Sequence, residues 1–390
     1  MSGPLSKYRI IDLTAMVSGP YATQLLGDQG ADVIKVETHV GDLTRWAGPS
    51  RGGISSAFLL NNRSKRSIAL DLKQDDGKLI LDALIETADV FVQNFRPGAI
   101  ERMGFAEDHV RAVRPDIVYV SISGFGASGP YVHKRVYDPV IQALSGVMHI
   151  QGNNQTPRLM RTILPDKLTA VTAAQAITAA LLGRESTGKG EHVKLSMIDA
   201  TVAWMWPDAL INYTLMGDDV TAPFPSGTTD TTAFATKDGY MIVLVVSDDE
   251  WQGFVRASGR PELGEDERFK TLPDRIEHFT ELFDTMRETV RDGTTDEWVE
   301  KLDAEQVPCA QVNSVEALFT DPQVAHNELI LETEHPNAGQ IRTPRPAARF
   351  REHPVGEQRP APMLGQHNVE ILTELGIKEI ERLRKQAVIT

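Results

Sequence analysis

The chain predicts an α/β protein, a doubly wound body with a parallel sheet followed by a smaller α/β unit. Three features predict it. Apolar runs of strand length alternate with helical stretches from the N-terminus to about residue 195, and parallel strands need crossovers of that kind. A Pro-, Gly- and Thr-rich interval, Val220 to Thr232, then breaks the alternation. Beyond about residue 330 the prolines 336, 344, 346, 354, 360 and 362 favour extended chain over helix.

Tyr8 to Leu13 reads as a buried strand, Pro20 to Gln29 as a helix closed by Gly30, and Ala31 to Val36 as the second strand of a βαβ unit. Lys78 to Ala88 carries Leu81, Leu84 and Ile85 on one helical face, and Val90 to Val92 follows as a strand. A short helical stretch starts at Val110, and Ile117 to Ile122 is the next strand. Pro139 to Met148 reads as a helix with proline in first position and Asp138 as its N-cap. A helix of small residues runs from Ala170 to Leu182, and His192 to Leu195 closes the alternation. In the second unit Tyr240 to Val246 is a strand, and Glu250 to Ser258, Arg275 to Val290 and Thr295 to Asp303 are helical. Two short helices occupy Gln366 to Gln386. The divisions are therefore 1–215, 216–325 and 326–390, the last returning over the surface to the first body.

At 390 residues the chain is long enough for two domains. Its net charge of −14 argues against nonspecific binding to nucleic acid or anionic membrane. The single cysteine, Cys309, excludes an intrachain disulfide and a cysteine-based metal cluster. The histidines show no H-E-x-x-H or comparable metal spacing, so no metal is expected. The longest apolar run, near Ala173 to Leu182, is too short to span a bilayer. A cytoplasmic enzyme is the expectation.

Gly124-Phe-Gly-Ala-Ser-Gly129 spells a literal G-x-G-x-x-G after a strand, but Pro130 follows where a dinucleotide site needs a helix. A tight loop that lets backbone approach a ligand is the better reading. In the first βαβ unit Glu37 stands where a ribose-binding acid would, yet the loop Thr14 to Pro20 holds one glycine of the three required. An NAD-dependent oxidoreductase is thus the weaker alternative. Basic residues gather at Asn61 to Arg66, at Lys73, and at Arg96 and Arg102. Asn94-Phe-Arg-Pro-Gly98 follows a strand directly, at the carboxyl end where open α/β sheets bind ligands. Arginine forks suit phosphate, so a ligand with several phosphates fits. No G-x-S-x-G elbow or phosphate-binding loop of the P-loop type is present. Asp166, in Arg161-Thr-Ile-Leu-Pro-Asp-Lys-Leu-Thr169, opens an apolar helix, where a carboxylate needs N–H donors or a ligand in compensation.

Taken in order, these segments resemble the class III CoA transferases of the formyl-CoA transferase and carnitine type, a family that includes the α-methylacyl-CoA racemases. The resemblance rests on Asp12-Leu-Thr14 with Ser18-Gly-Pro20, Gly30 to Glu37, Gly41-Asp42, Asn62 to Ser67, Leu70 to Lys73, Asn94 to Gly98, Arg102 to Gly104, Ser121 to Pro130, Tyr137-Asp138, Gln142-Ala143 and Thr187 to Gly190. It covers residues 10 to 200 and continues more weakly to Leu364-Gly-Gln-His367.

The resemblance implies a nucleophilic Asp166 and contacts to CoA from Val17, Ser18, Leu70, Asp71, Leu72, Lys73, Asn94, Phe95, Arg96, Arg102, Arg135, Val136, Tyr137 and Asp138. It implies acyl-CoA and a free carboxylic acid as substrates, and no prosthetic group. The fold it implies is a Rossmann-like large domain plus a small one, in an interlocked homodimer. Within the family a racemase is the alternative. Racemases place a histidine where this chain has Tyr137, and phenols ordinarily titrate near 10, too high for a base at neutral pH. The formyl-CoA branch carries a glutamine at the Val17 position and a glycine-rich loop where Ser247 to Gly253 stands here, so formyl-CoA and oxalate are not the expected substrates.

Overall fold

A computed structural model describes residues 2–152, 156–217, 219–220, 233–354, 356 and 358–390. The strands are β1 Arg9–Asp12, β2 Asp32–Glu37, β3 Ser50–Arg51, β4 Ile54–Ser55, β5 Lys65–Ala69, β6 Val90–Gln93, β7 Val118–Ser123, β8 His192–Ser196, β9 Phe234–Ala235, β10 Tyr240–Val243, β11 Cys309–Gln311, β12 Ile330–His335 and β13 Gly339–Pro344. Helices α1 Ser18–Asp28, α2 Ser56–Asn62, α3 Asp75–Glu86, α4 Ala99–Met103, α5 Glu107–Val113, α6 Asp138–Ser145, α7 Val147–Gln151, α8 Leu164–Thr187 and α9 Met197–Ala209 belong to the first half. The remainder are α10 Asp248–Ser258, α11 Leu272–Glu277, α12 Phe279–Val290, α13 Thr295–Ala304, α14 Pro322–His326, α15 Asn368–Glu374 and α16 Ile380–Lys385.

Contacts divide the chain into two units. One comprises Met1–Met148, Leu159–Met205 and Glu328–Thr390, the other His149–Arg158 and Trp206–Asn327. Most of the Pro-, Gly- and Thr-rich interval, residues 221–232, lies outside the described residues.

The larger unit is built on a six-stranded sheet in the order β5-β2-β1-β6-β7-β8, parallel throughout. Counting only these strands, the order is 3-2-1-4-5-6, the doubly wound arrangement. Its central strands are buried on both faces, so they read as largely apolar runs. Ile10, Val33, Val90, Val92, Val118 and Val120 meet α1 and α8 on one side. Ile11, Ile34, Ile68, Phe91 and Tyr119 meet α3, α5 and the C-terminal helices α15 and α16 on the other. Small residues of α8, among them Ala170, Ala173 and Ala174, let it lie directly against α1.

One strand contradicts the sequence reading. Lys65 and Arg66, the end of the basic cluster Asn61 to Arg66 that suited a phosphate-bearing ligand, open the edge strand β5, Lys65–Ala69, which is buried along its length. Arg63 pairs with Asp28 at 2.7 Å, Lys65 with Asp12 at 2.9 Å, and Arg66 with Asp32, Glu370 and Glu374 at 2.6 to 2.9 Å. These cations are neutralised inside the fold and do not face a polyphosphate. The extended C-terminal stretch also holds more order than its prolines implied, because β12 and β13 form an antiparallel hairpin. Its tail then crosses back: Leu70 bridges Ile389, and Asp71 N–H donates to Val388 O at 2.9 Å.

The smaller unit has its own core. A three-stranded antiparallel sheet, β11-β10-β9, packs Phe234, Met241 and Val243 against Trp251, Phe254, Phe269 and Met286 of the surrounding helices. Arg275 is buried there, its guanidinium held by Phe269 O, Val246 O and Asp248. The predicted helix Arg275 to Val290 is two helices, α11 and α12, meeting at His278. Among the described residues no helix is long and apolar enough to cross a membrane, and no group of side chains has a metal-binding arrangement.

Candidate active site

In an open α/β sheet, ligands bind beyond the carboxyl ends of the strands where the strand order reverses. Here that point lies between β1 and β6. A cleft of about 240 Å³ opens there, lined by the loops after β1, β6 and β7 and by the start of α8.

The loop after β1 is held in an unusual shape. Met16 adopts a left-handed conformation, φ 70°, which a non-glycine residue keeps only when its surroundings impose it. Asn94 clamps the loop from β6, its amide accepting from Ala15 N–H at 2.9 Å and donating to Ala15 O at 2.8 Å. Asp42 accepts from Met16 N–H at 3.2 Å. Beneath the loop, Lys35 Nζ donates to Thr14 O at 2.7 Å and pairs with Asp42 at 3.1 Å. The Asn94 side chain, expected at the ligand, is thus engaged in holding the loop. Asn94→Ala is expected to lower the urea midpoint by an amount corresponding to about 1–3 kcal/mol, with turnover falling as well. A variant as stable and as active as the parent would mean the loop is held without the clamp.

That shape presents the first residue of α1. The N-cap Val17 offers no side-chain acceptor, and Pro20 has no N–H. A Cβ on Gly19 would stand 2.3 Å from Thr14 Cβ, so only glycine lets the helix start this close to the strand. The Ser18 N–H and hydroxyl stand near enough to the carboxylate of Asp166 to pull its pKa down. Asp166 therefore faces the N-terminal end of α1 while sitting in the first turn of its own helix, α8. Asp138 repeats the device one step back. It was expected to cap α6, but its carboxylate makes no bond to that helix end. Instead it accepts from Asp166 N–H at 3.1 Å and from Gln142 Nε2 at 2.6 Å, capping α8. Gln142 also accepts from Met160 N–H at 2.9 Å and donates to Thr162 O at 3.1 Å, fixing the chain that leads into α8.

Electrostatics follow from this stacking of carboxylates. Burial, then the neighbouring Asp138, push the Asp166 carboxyl up to about 6, against the pull of the Ser18 donors. Burial likewise raises Asp138, which is 2% exposed. Asp166 itself is only partly covered and lines the cleft. A carboxylate that is desolvated, set beside the N–H and hydroxyl of Ser18 and open to a ligand on one side has the properties of a nucleophile.

Of the residues implicated by sequence, Ser18, Asn94, Phe95, Arg96, Val136, Tyr137 and Asp166 line this one cleft. Asp138 lies behind Asp166. Val17, Leu70 to Lys73, Arg102 and Arg135 are not in its lining. Leu70 is fully buried in the core, so its side chain is closed to any ligand. Lys73, Arg102 and Arg135 are exposed, and a Cβ on Gly98 would stand 3.0 Å from an Arg102 guanidinium nitrogen, placing that cation beside the 96–98 loop. Sequence reasoning missed Met16, Lys134 and Met197 in the lining; a lone methionine or lysine in a loop carries no signal of its own. Around Gly124 to Gly129 no helix follows, as expected, and Gly126 N–H is turned onto Ser123 Oγ at 2.9 Å. Glu37 is held bidentately by Arg45 at 2.9 and 2.7 Å and accepts from Ser67 Oγ at 2.9 Å, so it is not free to bind a ribose.

A family model described as CoA-transferase family III matches residues 5–368. The chain belongs to that family. This transferase is 36% identical over 378 residues to the succinyl-CoA:glutarate CoA-transferase of Homo sapiens, covering 95% of this chain and 86% of that protein. It is 34% identical to the formyl-CoA:oxalate CoA-transferase of Streptomyces avermitilis, with both chains covered in full. Among solved structures, a CAIB/BAIF family protein from Brucella suis superimposes with a TM-score of 0.81 at 29% identity, covering 96% of the transferase and all of that chain.

Proposed function

We propose that this CoA-transferase carries the acyl group on Asp166, and that its acids are dicarboxylates of the succinate and glutarate kind. The observation that carries the first part is the Asp166 carboxylate itself, raised to about 6 and lining the cleft beside Ser18. The second part rests on relatives named for succinyl-CoA and glutarate at 36% and 33% identity, and on the chain's departure from the formyl-CoA pattern at Val17.

Asp166 attacks the thioester carbonyl, giving a mixed anhydride and CoA thiolate. The thiolate attacks the Asp166 carbonyl, the donor acid leaves, and an aspartyl-CoA thioester remains. The acceptor carboxylate attacks that carbonyl and displaces the thiolate again. Attack of the thiolate on the acceptor's acyl carbon then restores Asp166 and releases the new acyl-CoA. The route conserves the thioester's free energy, which hydrolysis would dissipate. Each tetrahedral intermediate at Asp166 places negative charge beside the Ser18 N–H at the positive end of α1. Ser18, Phe95, Arg96, Val136 and Tyr137 contact the thioester end of the substrate in this reading, and Lys73, Arg102 and Arg135 the phosphates. Residues 1–215 with 326–390 hold CoA, 216–325 form the second domain, and two chains interlock in a cytoplasmic homodimer.

Transfer to a carboxylate-¹⁸O-labelled acceptor tests the covalent step. One labelled oxygen should remain on Asp166, seen as a 2-dalton gain in its peptide, because the acceptor oxygen bridges the second anhydride. Hydroxylamine should trap the aspartyl thioester as a hydroxamate at the same position. An active preparation that shows neither sign overturns the proposal. Incubating succinyl-CoA with a panel of acids, and reading new thioesters by mass, identifies the acceptor.

A further inference from the structure

A second set of side chains, on the α3 face of the sheet, is joined in one directed hydrogen-bond chain. Phe95 N–H donates to Gln93 Oε1 at 2.9 Å, which fixes the Gln93 amide. Gln93 Nε2 therefore faces Ser121 Oγ and donates to it at 3.0 Å. Ser121 Oγ stands 3.0 Å from His192 Nε2, and in a neutral imidazole protonated on Nδ1 that nitrogen accepts from the hydroxyl. His192 Nδ1 faces Glu107 Oε2, and an ionised carboxylate there accepts only from an Nδ1–H, which selects that tautomer. Burial acts to raise Glu107, but Arg111, at 2.9 Å from its other oxygen, and His192 hold its carboxyl below the usual range and keep it ionised. Tyr119 closes one side of the imidazole, edge-on at 4.9 Å between ring centroids.

We propose that Ser121, His192 and Glu107 form a second catalytic site, one that cleaves small carboxylic esters. A hydroxyl, a base with the correct tautomer and an ionised orienting carboxylate are the three roles that serine acyl transfer requires, and roles rather than sequence position define them. Ser121 opens onto a cleft of about 140 Å³ that Gln93, Glu101, Lys194 and Ser196 also line, and that adjoins the Asp166 cleft across Phe95, Arg96, Ile122 and Ser123. Its size suits a short acyl group. Lys194 pairs with Ser121 across the parallel strands and supplies the cation for a developing oxyanion. Asp166 is not in that lining.

In the step, Ser121 Oγ bonds to the ester carbonyl carbon as its proton passes to His192 Nε2. The carbon–oxygen bond to the alcohol breaks, and His192 returns the proton to the leaving alkoxide. Water then adds to the acyl-serine through the same base, and the free acid departs. No G-x-S-x-G pattern surrounds Ser121, which sits within β7 and not on a strand-to-helix elbow.

The test uses the full chain in an Asp166→Ala background, so that ester cleavage through Asp166 does not contribute. A fluorophosphonate probe should label Ser121, and p-nitrophenyl acetate should be hydrolysed. Adding Ser121→Ala should remove the label and lower the rate about 100-fold, and Glu107→Gln should lower it about 10-fold without loss of secondary structure. An adduct on another serine, or equal rates with and without Ser121, overturns the proposal. CoA transfer is not read in this assay, so the reading of Asp166 stands or falls separately.

Discussion

Asp166→Asn is expected to abolish CoA transfer and, at neutral pH, to make the protein more stable. Asparagine keeps the size of the side chain and an acceptor oxygen toward Ser18 but cannot form an anhydride, so turnover should fall by at least about 10³-fold while acyl-CoA binding stays nearly unchanged. The gain in stability follows from the direction of the shift. The Asp166 carboxyl lies at about 6 in the fold against 3.8 ordinarily. Between those values the folded chain holds a proton the unfolded chain has released, so stability falls as pH rises through the window. Above it, the fold carries the full cost of an ionised, partly buried carboxylate beside Asp138. Solvent reaches one side of the group, which brings that cost to about 1–2 kcal/mol. Thermal melts should therefore show the variant above the parent at pH 7.5 and level with it near pH 4. The parent's kcat/KM should rise with pH through about 6 as the nucleophile ionises. A variant that is no more stable at pH 7.5, or a profile flat across that range, would mean that Asp166 is an ordinary exposed carboxylate.

The same burial of charge explains where the sequence was legible and where it was not. The strands β1, β2, β6 and β7 announce themselves because both faces are covered and apolar residues dominate them, and β8 by Val193 and Leu195 packed against the same core. Strand β5 does not, since Lys65, Arg66 and Ser67 resemble a solvated run. Their partners, Asp12, Asp32 and Glu37, lie 30 or more residues away, and no local pattern records such pairing. Asp166 was legible as an anomaly, a carboxylate opening an apolar helix. What it touches was not: Ser18 lies far upstream, and Asp138 suited the helix beside it on every local rule yet caps a different one. Capping preferences act over three residues; the fold substitutes side chains brought from a distance. The His192–Ser121 pairing was hidden for the same reason, since it forms only when β7 and β8 lie side by side.

Lys65→Met should cost about 3–5 kcal/mol of stability, the loss found when one partner of a buried ion pair is removed. Asp12, Lys35 and Lys65 meet on the α1 face of the sheet, each with no exposed surface. Burial would raise the Asp12 carboxyl, but Lys65 and Lys35, with hydroxyls of Thr14 and Thr23, hold it well below the usual range. Without Lys65, Asp12 keeps its charge in a dry site with one cation fewer. Lys65 Nζ also donates to Pro20 O at 2.8 Å and to Asn62 Oδ1 at 2.9 Å, so both acceptors are left without that donor. Adding Asp12→Asn removes the stranded charge, and the double variant should be more stable than Lys65→Met alone. Chemical denaturation at pH 7.5 measures both; a single variant within 1 kcal/mol of the parent, or a double variant that is worse, would show that the cluster is not acting as an ion pair. The functional consequence follows from geometry. Pro20 lies in the first turn of α1, two residues from the Ser18 that orients Asp166, and Lys35 holds the Thr14 carbonyl at the start of the same loop. A buried charge cluster thus fixes the helix end against which the nucleophile rests, so transfer should weaken in Lys65→Met even at temperatures where the variant is fully folded.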